Sequence, residues 1–532
     1  MTQTAVTPEV AAVPETAATP QTAATTETPP DRIPSNRKWV ALAVVLLAAF
    51  LDNVDSTIVT VALPSIQKDL GADFATAQWT LAGYALAFAV FLITGGRLGD
   101  IFGRKRLFIT GVVGFTLASV VCGAAATPGV LVGGRLAQGI MAALMVPQVM
   151  SVIMTTFDQK EWVVAFSMMG AVLGLGGVSG PLLGGVLTDL DIMGLGWRSV
   201  FLVNIPFGVI AVALAAWCLP ESRSEQAPRL DVPGVALITV AAIGLMFPLV
   251  QGREQGWPVW MFVVMGAALL LLIPFALYQR RRHEKDGSAL IPPTLFEHRS
   301  FTAGVFVVML AFSGITSFFL VLTYQMQLGL GWSAIRTALV TVAFPIGIMA
   351  TFQIAWRKGT ANGRAFVALG TSIMAVGTLL MILLTHTQGQ DLTWYQVAGA
   401  ELVVGLGMGL CSPILTNVVL GDVPPQDAGA GSGVVNALIQ FGTAAGIAVV
   451  GVIFFSLSGS GTGSRAERFS DATAVTLWYN VGVFALVALL SPLLPGRRTE
   501  KAEMGDAAEK GDTTADAPAD DGADDRLIAD PA

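Results

Sequence analysis

The chain has 532 residues, of which 54% are apolar and only 13% are charged, and its mean hydropathy is +0.68. A soluble domain carries about 25% charged residues, so this composition excludes an ordinary soluble globular protein. The formal net charge of −7 comes from the tail 499–532, which holds eleven acidic and three basic residues. The rest of the chain is nearly neutral and gives no sign of nucleic-acid binding.

The first 36 residues are rich in Ala, Thr, Pro and Glu, which predicts a disordered tail without the pattern of a signal peptide. Apolar blocks follow, each near the length of about 20 residues that a helix needs to cross a bilayer. The fourteen blocks are approximately 39–61, 78–98, 107–126, 129–154, 165–188, 199–219, 234–251, 258–278, 301–324, 334–356, 365–385, 394–420, 428–454 and 474–495. The block at 234–251 is the weakest, because Pro233 and Pro248 bracket it. The sequence predicts an all-α polytopic membrane protein.

The Lys and Arg residues of the loops predict the orientation of the chain. When the N-terminus is placed in the cytoplasm, that side receives 23 basic residues and the other side receives six. Loops rich in Lys and Arg remain on the cytoplasmic side of a membrane. We therefore expect both termini in the cytoplasm, which requires an even number of spans. The Lys-poor, Ala- and Gly-rich composition favours a bacterial protein, and hence the bacterial cytoplasmic membrane.

An internal repeat relates spans four and five to spans twelve and thirteen. At an offset of 266 residues the matching pairs are Leu136 and Leu402, Gly139 and Gly405, Pro147 and Pro413, Gly176 and Gly442, Gly180 and Gly446, and Gly185 and Gly451. The copies are an even number of spans apart, which predicts two parallel six-helix halves. The predicted order is a tail (1–36), a first half (37–220), a two-helix insert with its loops (221–299), a second half (300–496) and a disordered acidic tail (497–532).

No catalytic, metal or cofactor constellation stands out in the sequence. Cys122, Cys218 and Cys411 lie in apolar blocks without disulfide or metal spacing. The run 174–177 contains three glycines, but it lies inside an apolar block with no strand before it, so it is not a nucleotide loop. We therefore expect no enzyme activity, no metal and no cofactor, and an ion gradient as the source of energy.

Four charged residues inside apolar blocks are candidates for proton coupling: Asp52, Asp55, Arg135 and Glu401. A charge inside a membrane is costly and marks a functional site by default. Asp52 and Asp55 share a helix face, so both cannot be ionised cheaply and one could carry a proton. Asp55, Arg135 and Glu401 lie at similar depths, and we expect them to converge. The alternatives are a structural acid pair and, for Glu401, a side chain that reaches the outer headgroups.

Further polar side chains in the spans are candidates for the lining of a substrate cavity, or for hydrogen bonds between helices. They are Tyr84, Gln138, Asn204, Gln325, Asn417, Asn436 and Gln440. The glycine-rich end of span five, 176–185, predicts a tight, bent contact with a helix of the second half, because glycines let helices approach closely and Pro181 can bend the chain. Plain helix packing is the alternative.

An ordered set of motifs resembles the major facilitator superfamily. The set consists of the loop 96–105, the stretch 131–143 of span four and the stretch 176–185 of span five. Three more stretches, 51–64, 197–206 and 423–440, look like those of the fourteen-helix drug:proton antiporters. The resemblance covers about residues 38–496. Thr60 departs from it, because such antiporters usually carry Asn there, and so does Thr360, which replaces the Asp in the second-half copy of the loop.

The resemblance implies roles for two of these motifs. The gating loop would consist of Gly96, Asp100, Gly103, Arg104 and Lys105, with ion pairs that hold one conformation. A solvated basic loop is the alternative. The antiporter motif would consist of Gly176, Gly180, Pro181, Gly184 and Gly185.

Together these features predict a monomeric exporter of the major facilitator fold, with two six-helix halves and a two-helix insert. It would exchange a small amphipathic drug or antibiotic for protons, with residue Asp55 as the main coupling group. Export of an endogenous metabolite, uptake by proton symport, and a membrane sensor or scaffold that transports nothing are the alternatives.

Overall fold

A computed structural model describes residues 35–224, 230–359, 362–420, 423, 428–459 and 463–494. Within these ranges the secondary structure is helical, with no β-strand. Fourteen helical segments are long and apolar enough to cross a membrane, and each coincides with one of the predicted blocks. The predicted all-α membrane fold is thereby confirmed. Nearly all of both predicted tails and Thr360 lie outside the described residues.

The helices follow in the order of two halves separated by an insert. The first half contains α1 (Ser35–Leu70), α2 (Phe74–Phe102), α3 (Arg104–Gly123), α4 (Pro128–Thr156), α5 (Gln159–Asp189), α6 (Ser199–Leu202) and α7 (Asn204–Cys218). The insert contains α8 (Val232–Gln251) and α9 (Val259–Asp286). The second half contains α10 (Arg299–Tyr324), α11 (Ala334–Thr341), α12 (Ala343–Lys358), α13 (Gly363–Gln388), α14 (Trp394–Leu420), α15 (Ala428–Gly459) and α16 (Arg465–Leu490). The sixth span comprises α6 and α7, and the tenth comprises α11 and α12.

Several helices are longer than the apolar blocks that predicted them, because a helix continues until a polar group or a special backbone conformation ends it. The side chain of Asp73 begins α2 by accepting a hydrogen bond from Thr76 N at 2.7 Å. Gly103, with a φ of 107°, separates α2 from α3. In α8, Pro233 lies in the first turn, where its missing N–H leaves no hydrogen bond unmade. The weakest predicted span is therefore a complete helix.

The repeated glycines occupy equivalent contacts in the two halves. A Cβ atom at Gly139 would overlap the carbonyl oxygen of Tyr84 on α2, and one at Gly405 would overlap that of Phe344 on α12. Gly180 lies equally close to α1, and its counterpart Gly446 to α10. The helix pairs α2–α4 and α1–α5 thus recur as α12–α14 and α10–α15, as the sequence repeat predicts.

Two seams join the halves, one between α5 and α11 and the other between α2 and α15. Gly185 contacts Ala334 and Ala338 across the first seam, and its counterpart Gly451 contacts Gln78 across the second. Helix α8 of the insert packs against both α2 and α15 and so covers the second seam. We name the side of the bundle on which α1 begins the terminal face and the side on which it ends the opposite face.

A substitution on α14 tests the close helix contacts. Gly405→Ala is expected to lower the free energy of unfolding by about 1–3 kcal/mol, because its methyl group meets backbone that cannot move aside. Gly399→Ala on the same helix is the control, since no atom lies within 4 Å of its Cβ position. Thermal unfolding, followed with a thiol-reactive dye that reports exposure of the three buried cysteines, measures both variants. Equal unfolding midpoints for the two would contradict the contact.

Candidate functional site

A buried ion pair lies in the middle of the first half. Nη1 of Arg135 on α4 is 2.5 Å from Oδ2 of Asp55 on α1. The two side chains are 1% and 0% exposed. An unpaired charge in such a place is very costly, so each residue requires the other. The sequence expectation that these two charges meet agrees with this geometry.

Hydrogen bonds from several helices complete the surroundings of the pair. Asp55 Oδ1 accepts from Asn204 Nδ2 at 2.7 Å and from Gln138 Nε2 at 3.1 Å. Gln138 also accepts from Arg135 at 2.9 Å and donates to Ser119 Oγ at 2.8 Å. The guanidinium Nε donates to the carbonyl oxygen of Thr80 on α2 at 2.9 Å. We call Asp55, Ser119, Arg135, Gln138 and Asn204 the charge network.

The second acid of α1 reaches the charge network through an aromatic ring. Asp52 accepts a hydrogen bond from the hydroxyl of Tyr84 on α2. The guanidinium carbon of Arg135 lies 4.2 Å from the centre of the Tyr84 ring, a cation–π contact. Asp55 therefore contacts Arg135 directly, and Asp52 is connected to it through Tyr84.

A small cavity lies between the halves beside the charge network. Its volume is about 40 Å³, and Tyr84 and Arg135 form part of its wall. The other lining residues are Ser56, Thr60, Leu81, Ala85, Thr316, Gln440, Thr443 and Ile447. Pockets for drug-sized molecules measure about 300–1,000 Å³, so this space is large enough for a water molecule but not for such a molecule. A substrate has to part the halves to enter.

The seven predicted cavity residues are not together in the structure. Tyr84 and Gln440 line the cavity, whereas Gln138 and Asn204 belong to the charge network. Gln325 lies nearer the opposite face and donates to Ser470 at 3.0 Å. Asn436 is exposed and donates to the Ser432 carbonyl oxygen. The side chain of Asn417 lies outside the described residues.

Glu401 does not join the other predicted coupling residues. Its side chain is fully buried in the second half, on α14. Neither carboxylate oxygen has a hydrogen-bond partner among the described residues. The sequence expectation that it converges with Asp55 and Arg135 is wrong, and burial also argues against a side chain in the headgroups. Equal depth in two helices does not bring side chains together when the helices belong to different halves.

The halves are tied together at the opposite face. Tyr324 donates to Gln67 at 2.7 Å, and Gln327 donates to the carbonyl oxygen of Val61 at 2.8 Å. The carboxylate of Asp189, at the end of α5, accepts from the backbone N–H groups of Ala334 and Ile335 at 3.3 and 2.8 Å. It thus binds the first turn of α11, where a negative charge is stabilised. These contacts close the opposite face.

The predicted gating loop lies at the terminal face. Asp100 pairs with Arg104 at 2.8 Å, while Lys105 donates to the carbonyl oxygen of Ala216 at 2.8 Å. Gly103 has a positive φ, and a Cβ there would overlap the carboxylate of Glu221. Gly96, in contrast, has room for a Cβ, whose nearest neighbour would be 3.7 Å away. The contacts of the loop fasten it to the chain that leaves the sixth span.

Arg97 extends this loop towards the second half. Its guanidinium donates to the carbonyl oxygens of Ser288, at 2.9 Å, and of Ala289. Those residues lie in the segment that leads from the insert into α10. The end of α2 is thereby connected to the chain of the other half.

The sequence model of the Major Facilitator Superfamily matches residues 45–447, about three quarters of the chain. The chain belongs to that superfamily. It is 42% identical to a probable actinorhodin transporter of Streptomyces coelicolor over 80% of this chain and 74% of that one. It is 36% identical to a cephamycin export protein of Amycolatopsis lactamdurans over 86% of this chain and 92% of that one.

Among solved structures, the chain is similar to a bacterial homologue of the human lysosomal transporter Spinster in an inward-facing, occupied conformation. The TM-score is 0.61 at 14% identity, with 86% of this chain and 97% of that chain covered. At this identity the likeness shows the fold alone. By its family and its relatives, the protein is a multi-pass membrane transporter that handles small substrates, and it is not an enzyme.

The superfamily motif on α5 serves two different contacts. Gly176, Gly180 and Gly184 face Asn53, Thr57 and Ile58 on α1, within the first half. The sequence predicts a contact with the second half for the whole motif. Of these glycines, Gly185 makes that contact, because it faces α11. Helix α5 continues through Pro181 without a break.

Sequence reasoning named Asn204 only as a polar residue of a span, without a contact to Asp55, and it did not name Ser119. Asn204 carries a signal, because it is an amide within an apolar span and lies in the stretch 197–206 that the resemblance singles out. Ser119 carries none, since serines occur in many spans and hydrogen-bond their own helix. The hydroxyl of Ser119 indeed also donates to Phe115 O at 2.9 Å.

Removing one charge of the buried pair is expected to cost more than removing both. Arg135→Leu should lower the free energy of unfolding by about 3–5 kcal/mol, because Asp55 would remain buried without its partner. The double variant Arg135→Leu, Asp55→Leu should be more stable than Arg135→Leu. Thermal unfolding of the four proteins of this double-mutant cycle measures the coupling. Additive effects of the two substitutions would contradict a mutual requirement.

Proposed function

We propose that this protein exports an amphipathic drug or antibiotic across the bacterial cytoplasmic membrane in exchange for protons. The observation that carries the proposal is the position of the buried Asp55–Arg135 pair directly beside the cavity between the halves. The relatives support export, because one is named as an antibiotic transporter and the other as an export protein. The names of these relatives give no support to the alternatives of uptake by proton symport and of a membrane sensor or scaffold that transports nothing.

Proton exchange follows from the chemistry of the pair. When Asp55 takes up a proton, its carboxylate becomes a neutral carboxylic acid and Arg135 loses its counter-charge. The guanidinium then keeps its contact with Tyr84, and both groups form the cavity wall. The wall beside the substrate therefore changes its charge when the proton binds. Substrate and proton would in this way influence each other's binding across the same few atoms.

The change in charge also bears on the contact between the halves. The cavity wall combines Tyr84 and Arg135 of the first half with Thr316, Gln440 and Thr443 of the second. A ligand shifts a conformational equilibrium by the difference of its affinities for the two states. A proton on Asp55 would have different affinities for the two states, because it changes the charge on one side of an interface that is closed in one state and open in the other.

Asp52 would assist as a second acid. Its hydrogen bond with the hydroxyl of Tyr84 places it at the edge of the ring whose face contacts Arg135. Loss of a proton from one acid would change the proton affinity of the other, because both interact with Arg135. Asp55 contacts Arg135 directly and Asp52 only through Tyr84, so we assign Asp55 the leading role and Asp52 a modulating one.

The distribution of basic residues supports the direction of transport. The terminal face carries Arg97, Arg104 and Lys105 and the run 280–282, and because basic loops remain in the cytoplasm we assign this face to the cytoplasmic side. The opposite face, closed by Asp189 and α11, is then the outer surface. The described conformation would have to part the halves at the cytoplasmic face to take up substrate, and at the outer seam to release it.

A susceptibility assay in an efflux-deficient bacterium tests the proposal. Wild type should protect the cells against at least one member of a panel that includes a cephamycin, puromycin and an aromatic polyketide. Asp55→Asn should abolish protection, because the amide cannot exchange a proton. Glu284→Gln is the matched control, since Glu284 only forms an exposed ion pair with Arg280. It should protect like wild type.

Asp55→Asn leaves Arg135 without a charge partner, so the amount of folded protein in the membrane has to be measured as well. Drug exchange without a gradient, in vesicles with the same drug on both sides, should persist in this variant. Equal protection by Asp55→Asn and wild type would refute coupling at Asp55. No protection by wild type, together with no drug-dependent proton flux in vesicles, would refute drug export.

A further inference from the structure

A second, larger cavity opens within the second half at the opposite face. Its volume is about 870 Å³, and it lies between the ends of α13 and α15 and the beginning of α16. The charged and titratable residues that line it are His386, Asp391, Glu467, Arg468 and Asp471. We call this cavity the vestibule. It lies apart from the charge network, and the proposed mechanism at Asp55 makes no use of it.

The vestibule has an unsatisfied polar group in its inner wall. Thr385 lines it, its side chain is 1% exposed, and its Oγ1 has no hydrogen-bond partner in the part of the chain that the structure describes. A buried hydroxyl without a partner costs about 1–3 kcal/mol. A water molecule that enters from the vestibule would remove that cost.

The register of α13 against α14 places Glu401 within about two helical turns of this hydroxyl along the helix axes. A Cβ on Gly377 of α13 would meet Val404 of α14, and the two helices run in opposite directions. Thr385 lies eight residues beyond Gly377 on α13, and Glu401 lies three residues before Val404 on α14, so each is rotated by about 60–80° from that contact. Along the helices, Thr385 is therefore only about 7 Å nearer to the vestibule than Glu401.

No charge on the surrounding helices competes for Glu401. The charged or titratable residues on the helices packed against α14 are Tyr324 on α10, Arg336 on α11 and His386 on α13, toward the opposite face, and Arg299, Arg357, Lys358 and Arg364 at the terminal face. Both oxygens of Glu401 are buried without a partner in the described structure. An ionised carboxylate in such a place is costly, so its neutral, protonated form is favoured there.

The geometry points to a proton path from the opposite face through the vestibule and past the hydroxyl of Thr385 to Glu401. A proton would pass from the acidic rim of Asp391, Glu467 and Asp471 to water at Thr385, and from there to the carboxylate. This inference rests on the proposed function, because a transporter without proton exchange has no use for the path. It gives the second half a proton site of its own.

Infrared spectroscopy of the full chain in lipid vesicles tests the path without any drug. The carboxylic acid C=O band of Glu401 is assigned as the band that disappears in Glu401→Gln. On transfer from H₂O to D₂O this band shifts as its proton exchanges, and the rate of the shift measures access. Thr385→Val keeps the shape of the side chain and removes the hydroxyl. It should slow the exchange about tenfold or more, because rarer openings then have to admit water.

Two variants guard against a merely structural effect. Thr385→Ser restores the hydroxyl and should restore the rate of exchange. Thr387→Val removes an exposed hydroxyl of the same helix that bonds Leu383 O at 2.9 Å, and it should leave the rate unchanged. Equal slowing in Thr385→Val and Thr387→Val, or no slowing in either, would overturn the path.

If Glu401→Gln removed no carboxylic acid C=O band, Glu401 would not carry a proton, and the proton site itself would be overturned. Failure of the path and failure of the proposed function are distinguishable. The spectroscopic readout needs no transport, and the susceptibility assay needs no assignment of a band. A protein that exchanges the proton of Glu401 through Thr385 but moves no drug would retain the path and refute only drug export.

Discussion

Two opposite charges that water cannot reach must satisfy each other where they lie, and this constraint organises the first half of the protein. Asp55 on α1 is held by groups from α4 and α7, and Ser119 on α3 bonds two of them. Displacement of α1 from α4 would leave both buried charges unpaired, at about 3–5 kcal/mol, and displacement of α3 or α7 would break the hydrogen bonds around them. The first half is therefore expected to move as one body, and conformational change concentrates in the two seams between the halves.

The second half follows the same helix path without the same electrostatics. Gly405 and Gly446 make the contacts that Gly139 and Gly180 make in the first half, so backbone proximity is preserved by the repeat. Arg135 and Glu401 correspond in sequence, yet one has a charge partner and the other has none in the described structure. The two halves share their backbone geometry but differ in their side chains. The acid that could bind a proton has a charge partner in the first half and none, among the described residues, in the second.

Hydropathy and the repeat predicted the fold because both depend on the backbone and on the length of a helix. They predicted the spans, even the weak one at 234–251, and the contact of Arg135 with Asp55. They did not predict the isolation of Glu401 or the participation of Ser119, because the rotation of a helix about its axis decides which side chains meet. The apolar pattern of a membrane helix contains little information on that rotation, since lipid and protein interior are both apolar.

The cavity between the halves has a consequence for substrate range. Because about 40 Å³ admits no drug-sized molecule, every substrate loses the same part of its binding free energy to opening the protein. A substitution that loosens the seam at Gly185 would strengthen apparent binding of all substrates by a common factor. One at Gln440 or Thr443 would instead change their order of preference. The seam between the halves thus governs how strongly all substrates bind, and the cavity wall governs the preference among them. A mutation in one of these regions leaves the property governed by the other intact.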